Sequence, residues 1–199
     1  MTLTLWIVAA VVVVLVLLLW AIGGYNAFVR LRNRFQNAFA QIEVQLRRRF
    51  ELIPNLVEAA KAYLGHERET LTHVIEARAA AVGASERLAA RPGGAAELQG
   101  LATQDAALSG ALGRLLAVIE AYPDLKADRT IATLTEELTA TENKVSFARQ
   151  AYNDAVLTYN TKVQSFPDNV LAWFFRFDTA PPFATDSPAE RAPVRVSFG

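Results

Sequence analysis

The chain has 199 residues, 20 Lys plus Arg against 20 Asp plus Glu, no cysteine, and 52% apolar residues. That length favours one domain of ordinary size, and the lack of cysteine excludes a disulfide scaffold and any Cys-ligated zinc or iron–sulfur centre. Zero net charge argues against a globally basic nucleic-acid binder.

The apolar excess sits at the front. Across residues 3–22 only Thr4 is not apolar, and no charge appears before Arg30. At 1.5 Å per residue this stretch makes a helix of about 30 Å, the thickness of a bilayer's hydrocarbon core. A cleaved signal peptide needs a basic start, a shorter apolar run and a small-residue cleavage site. Met1-Thr2 carries no basic side chain and Ala21-Ile22-Gly23-Gly24-Tyr25 is a poor cleavage site, so a retained anchor over 1–24 is expected. Trp6 and Trp20 suit the aromatic belts at the two interfaces. Arg30, Arg32 and Arg34 follow at once and nothing but the α-amine opposes them, which predicts the N-terminus outside and the body in the cytoplasm. The same three side chains are the candidate contacts to lipid phosphates, each contributing about 1 kcal/mol at an anionic surface.

The charge sum is a cancellation. Residues 25–50 carry six arginines against Glu43 alone, a net of +5, and the rest of the chain carries −5.

Apolar residues then recur at steps of three and four through Leu31, Phe35, Ala38, Ile42, Leu46, Phe50 and Ile53, and on through Leu56, Val57, Ala60 and Leu64 to Val82. The spacing predicts one helix over 25–82, kinked or briefly broken at Pro54, where a donor is lost and the ring clashes with the carbonyl four residues back. A loop is expected over 83–95 and a second helix over 96–121, with Gly100, Gly110 and Gly113 admitting a close neighbour. Tyr122-Pro123-Asp124 marks a turn, and Asp128 can cap a third helix over 128–166. Its seam runs Ile131, Leu134, Leu138, Thr141, Val145, Ala148, Tyr152, Ala155, Tyr159 and Phe166. Close to it, Glu142, Asn143, Arg149, Asn153 and Asn160 are expected to bond across helices and fix their register. The tail, 171–199, opens on Trp173, Phe174, Phe175 and Phe177. Its prolines at 181, 182, 188 and 193 forbid a long helix. These aromatics either seal one end of the bundle or anchor a partner or membrane surface.

The fold class expected is therefore all-α: a transmembrane anchor, an antiparallel bundle of long helices over 25–170, and an extended tail. A helix over 25–82 would span about 87 Å, more than the later helices can cover. The face of Leu31, Phe35, Phe39 and Ile42 is therefore expected to pack on a second copy, giving a homo-oligomer.

Chemistry is hard to find. His66 and His73, the two histidines, have Glu69 and Glu76 three residues on, but a di-iron bundle needs Glu-x-x-His on two helices and further Glu from two more. No nucleophile elbow or P-loop is present, Gly93-Gly94 lacking the Lys and spacing. Arg47-Arg48-Arg49 points in three directions on a helix, lacks interleaved aromatics, and has Glu43 and Glu51 as partners for Arg47. No catalytic residue, metal, cofactor or nucleic-acid partner is expected.

Tyr25-Asn26, Arg32-Asn33-Arg34, Gln41-Ile42-Glu43-Val44-Gln45-Leu46-Arg47-Arg48-Arg49 and Leu52-Ile53-Pro54-Asn55-Leu56-Val57 resemble the signature of the LemA family. So do Thr141-Glu142-Asn143, Ala148-Arg149, Tyr152-Asn153, Tyr159-Asn160 and Phe166-Pro167-Asp168-Asn169, in matched order and spacing. One departure is Arg176 before Phe177, where the family more often has Gly. The resemblance implies a bacterial single-span membrane protein with a short exterior N-terminus and a cytoplasmic helical bundle. It carries over no catalytic residues. The expected role is a non-enzymatic scaffold that self-associates at the inner membrane and presents an interaction surface, in membrane organisation or remodelling. An accessory or adaptor subunit for a membrane enzyme or stress-response protease, capturing it through the aromatic tail, is the alternative.

Overall fold

The computed structural model describes residues 2–64, 67–91 and 93–183, and the described residues are helical with no strand. Six helices follow in order: α1 (Thr2–Lys61), α2 (Arg68–Ala90), α3 (Ala95–Ala121), α4 (Pro123–Ala127), α5 (Arg129–Gln164) and α6 (Asp168–Phe175). They divide into two compact units, one of Met1–Ile42 with Ser146–Pro182 and one of Glu43–Val145 with Phe183–Gly199.

The second unit holds most of the core. Leu46, Phe50, Ile53, Leu56, Val57 and Ala60 of α1 are buried, with Leu71, Val74 and Ala81 of α2, Leu101, Leu108 and Leu115 of α3, and Ile131, Leu138 and Val145 of α5. The periodic stripes read from the sequence supply these faces, except that Phe166, expected on the third seam, lies past the end of α5 and is exposed. Asp128 caps α5: its Oδ1 accepts from the backbone N–H of Thr130 (2.8 Å) and Ile131 (3.1 Å). These bonds hold its carboxyl below the usual range, and Tyr63 donates to its other oxygen.

The helix bounds and the three glycines need correcting here. The helix expected over 25–82 ends at Lys61, and α2 starts at Arg68 and runs on to Ala90, well into the expected 83–95 loop. Gly65, a helix-stop residue type, was the sequence signal passed over; Ala, Gly, Ser, Glu and Arg at 83–87 are compatible with helix once Ala81, Ala84 and Leu88 find a core. Pro54 lies inside α1 without ending it. Proline leaves the carbonyl four residues back without its helical donor, and here Arg78 of α2 supplies one, its Nε donating to the Phe50 carbonyl at 2.7 Å. Finally, a Cβ at Gly100, Gly110 or Gly113 would meet nothing within 4 Å, so no helix approaches closely there.

In the first unit α1 and the C-terminal part of α5 run antiparallel. Phe39 packs on Tyr152, Phe35 on both Tyr152 and Tyr159, and Phe28 on Tyr159, so numbers rise along one helix as they fall along the other. Ile42 is fully buried, and Leu31 and Phe35 pack on the cluster of Phe28, Tyr159, Leu171, Ala172 and Phe177. The face expected to meet a second copy through Leu31, Phe35, Phe39 and Ile42 is thus occupied by the chain's own α5. The aromatic tail also differs from the extended segment expected, because α6 begins at Asp168 and takes Trp173, Phe174 and Phe175 into a helix. Pro188, Pro193 and the final Val194–Phe198 stretch lie outside the described residues.

Candidate membrane-proximal site

The N-terminal part of α1 is the most apolar helix surface in the chain. Its best window has a mean hydropathy of 3.2 and no buried residue, long and apolar enough to cross a membrane. Such complete exposure distinguishes it from a core helix, where the same side chains would be covered. The apolar stretch ends at Ile22, and Arg30, Arg32 and Arg34 are exposed on the following turns. Trp6 is exposed, whereas Trp20 is partly covered by the Phe28 cluster.

Just beyond that stretch α6 docks on α1. A Cβ at Gly24 would collide with Leu171 Cδ1, so with any other residue there the Leu171 side chain would have to shift. Phe175 meets Tyr25 edge-on with centroids 5.0 Å apart, and Phe177 stacks on Phe28 at 4.8 Å. Across the turn, Lys162 bonds Asp168 at 2.6 Å and holds its ammonium 5.1 Å from the centroid of the Phe28 ring. Arg176, capping α6, adopts the left-handed conformation (φ 56°, ψ 48°), the region where a side chain is strained and glycine is not.

The tail then lies along α5. Tyr159 Oη donates to the Asp178 carbonyl (2.9 Å), Tyr152 Oη to the Pro181 carbonyl (2.8 Å), and the Asn160 amide both donates to and accepts from the Ala180 backbone (2.8 Å each). Burial pushes the Tyr152 phenol up to about 12, and raises that of Tyr159 against the opposing field of Arg32. Asn160 therefore secures the tail, and the helix-register role expected for it is corrected. Asn143 is exposed, whereas Arg149 and Asn153 are half-buried and both engaged. The aromatic quartet splits: Phe177 is buried in the cluster and Phe175 leans on Tyr25, while Trp173 and Phe174 face outward.

Glu142 takes part in something the sequence reading missed. In the second unit Arg49 and Asp105 are both buried and joined at 2.8 Å. Arg49 also donates to Ser109 (3.0 Å) and pairs with Glu142, and Ser109 bonds Glu142 in turn (3.1 Å). Burial lowers the Arg49 pKa and Glu142 opposes it. The signal was available: Arg49 falls between Leu46 and Ile53, and Asp105 between Leu101 and Leu108, so each charge occupies a seam position. A buried arginine held by carboxylates has no proton to exchange near neutrality, so the cluster suits structure rather than acid–base work. Arg48 lies 3.9 Å from Glu137, an exposed pair.

His73 sits on the surface, 3.6 Å from Glu69 and 4.0 Å from Glu76, and His66 lies outside the described residues. Among the described residues no three His, Asp or Glu converge as a metal site would require.

An exposed apolar helix of spanning length, joined without a break to a helical body, defines a membrane-associated all-α protein. Residues 38–198, most of the chain, match the model of the LemA family, and the chain belongs to that family. It is similar to magnetosome proteins MamQ 1 and MamQ 2 of Paramagnetospirillum magneticum, 29% identical over 185 residues that cover 85% of this chain and 68% of each relative. The protein LemA of Metamycoplasma hominis is 25% identical over 151 residues, covering 76% of this chain and 64% of its own. None of these is an enzyme name.

Proposed function

We propose that this chain is a non-enzymatic helical scaffold of the bacterial inner membrane, held by one span with its N-terminus outside and presenting the surface of its cytoplasmic body to partners. The observation that carries the reading is α1 itself, whose wholly exposed apolar window continues in the same helix into a packed core. A span that runs on as helix into the body ties that body to the bilayer, as a membrane scaffold needs. Exposed Arg30, Arg32 and Arg34 support the orientation by the positive-inside rule. Self-association through Leu31, Phe35, Phe39 and Ile42 no longer has a free face, so the surface on offer lies elsewhere on the body.

Topology is testable because the chain has no cysteine. Thr2→Cys should react with a membrane-impermeant maleimide in intact cells, and Glu136→Cys only after permeabilisation; the reverse pattern would overturn the orientation. Photo-crosslinking from exposed sites of the body should capture protein partners whether or not Trp173 and Phe174 are replaced by serine. Capture that depends on those two side chains would favour the adaptor reading instead.

A further inference from the structure

We propose that α6 and the α5–α6 turn form a second membrane contact, an apolar foot that lies on the lipid surface where the span ends. The proposal rests on the reading of α1 as a span.

The first observation is position. Tyr159 of α5 lies between Phe28 and Phe35 of α1, at 6.5 and 5.1 Å. Because the helices are antiparallel, α5 climbs toward the apolar end of α1. Phe166 lies about 10 Å beyond Tyr159 along the helix path, which brings it near the level of Gly24 and Tyr25. There α6 is docked. Gly24 to Phe28 lie roughly 3–9 Å past the last apolar residue of the span, and the headgroup zone of a bilayer is about 5–8 Å deep on each side.

The second observation is direction. Asp168 and Leu171 both approach Gly24, and Phe175 sits on the adjacent Tyr25. About 10 Å of α6 is therefore met by roughly one residue of α1, so α6 crosses α1 rather than running along it. If α1 stands upright in a bilayer, α6 lies in the plane of its surface.

The third observation is the face turned outward. Leu171 and Ala172 point inward, while Val170 (52% exposed), Trp173 (81%) and Phe174 (69%) share the other side, and Phe166 (83%) extends it from the turn. A helix that is apolar all round is expected to be covered all round. The inner half is covered by α1, and the outer half is continuous in level with a surface that lipid already covers. Tryptophan and phenylalanine in an in-plane helix are the side chains that sit at the boundary of headgroups and acyl chains. Exposed Arg176, which follows Phe175 directly, is placed to reach lipid phosphates.

Full-length protein reconstituted in phosphatidylcholine and phosphatidylglycerol vesicles tests this. With Trp6→Phe and Trp20→Phe, Trp173 is the sole remaining tryptophan of the three. Its emission should be blue-shifted, quenched severalfold more by shallow than by mid-chain nitroxide lipids, and shielded from aqueous iodide. A second reporter, Trp173→Phe with Phe174→Trp, should behave alike. Free quenching by iodide with none from the lipid labels would overturn the proposal. So would shielding from both that grows with the protein-to-lipid ratio, the signature of a second copy on this face. In parallel, Val13→Trp without the native tryptophans should be quenched most by mid-chain labels. Failure there would bring down the span reading itself, whereas success there with failure at Trp173 overturns the foot alone.

Discussion

At the scale of single residues, side chains at two sites stand where their type is costly. Arg176 caps α6 with positive φ, at the position where the family resemblance leads one to expect glycine. A non-glycine residue in this conformation is strained by roughly 1–2 kcal/mol, part of which glycine regains while losing some to the greater freedom of the unfolded chain. Arg176→Gly should therefore raise the unfolding free energy by up to about 1 kcal/mol, read by denaturant titration in detergent; a loss would show that the arginine side chain holds α6 in place. Arg49 and Asp105 are the second case, a buried pair reinforced by Ser109 and Glu142. Removing one partner of a buried pair costs up to about 3–5 kcal/mol, less for Asp105→Leu because Glu142 still meets Arg49, while replacing both with apolar groups costs much less. Arg49→Leu should destabilise by that order and Asp105→Leu by less, and the double variant by clearly less than their sum. Additive losses would mean that the two charges are not coupled.

At the scale of elements, α1 illustrates how a helix survives a proline. Pro54 frees the Phe50 carbonyl, and Arg78 from α2 donates to it. Hydrogen bonds to charged groups contribute about 1.5–3 kcal/mol, so Arg78→Met should cost that much in the native chain. In a Pro54→Ala background the carbonyl regains a backbone donor, and the same substitution should cost appreciably less. Equal costs in both backgrounds would separate Arg78 from the proline. The docking of α6 follows similar logic: Gly24 has no Cβ to hold Leu171 off, and the tail after α6 is tied by Tyr152, Tyr159 and Asn160. Deleting 171–199 would strip Leu171, Ala172, Phe177 and Phe183 from the core, so point changes at Trp173 and Phe174 are the cleaner probe of the surface.

For the whole molecule, the neutral total conceals a basic stretch beside the apolar end of α1 and an acidic remainder. Part of that opposition is resolved within the chain, where Arg48 and Arg49 meet Glu137, Asp105 and Glu142. Salt should therefore weaken contacts of Arg30, Arg32 and Arg34 with lipid phosphates more than it affects folding, the span itself holding the chain in the membrane. Alkali acts on stability through a defined group. Tyr152 has its pKa raised to about 12 by burial, against about 10 in the unfolded chain. The unfolded state loses its proton first, so stability is unaffected below about pH 10 and falls as pH rises toward 12. Denaturant titrations at stepped pH should show this decline, and Tyr152→Phe should lessen it. An unchanged slope in the variant would place the alkaline sensitivity elsewhere.

The apolar run, the step of three and four through Leu46, Ile53, Leu101 and Ile131, and the Asp128 cap were legible because each depends on neighbours along the chain. Local spacing marks the strongly periodic stripes and the cap, although burial of Ala81, Ala84 and Leu88 carried α2 through a stretch that reads locally as a loop. The pairing of Arg49 with Asp105, the donor that Arg78 brings to Phe50, and the covering of Phe35 and Phe39 by Tyr152 and Tyr159 involve partners far apart in sequence. No local pattern says which stripe meets which. The sequence by itself thus determined an all-helical protein with a span-length apolar helix and the polarity of its flanks. Only the tertiary structure decided that Phe35 and Phe39 of the expected oligomer face pack on the chain's own α5, because burial of an apolar stripe is satisfied by whichever surface reaches it.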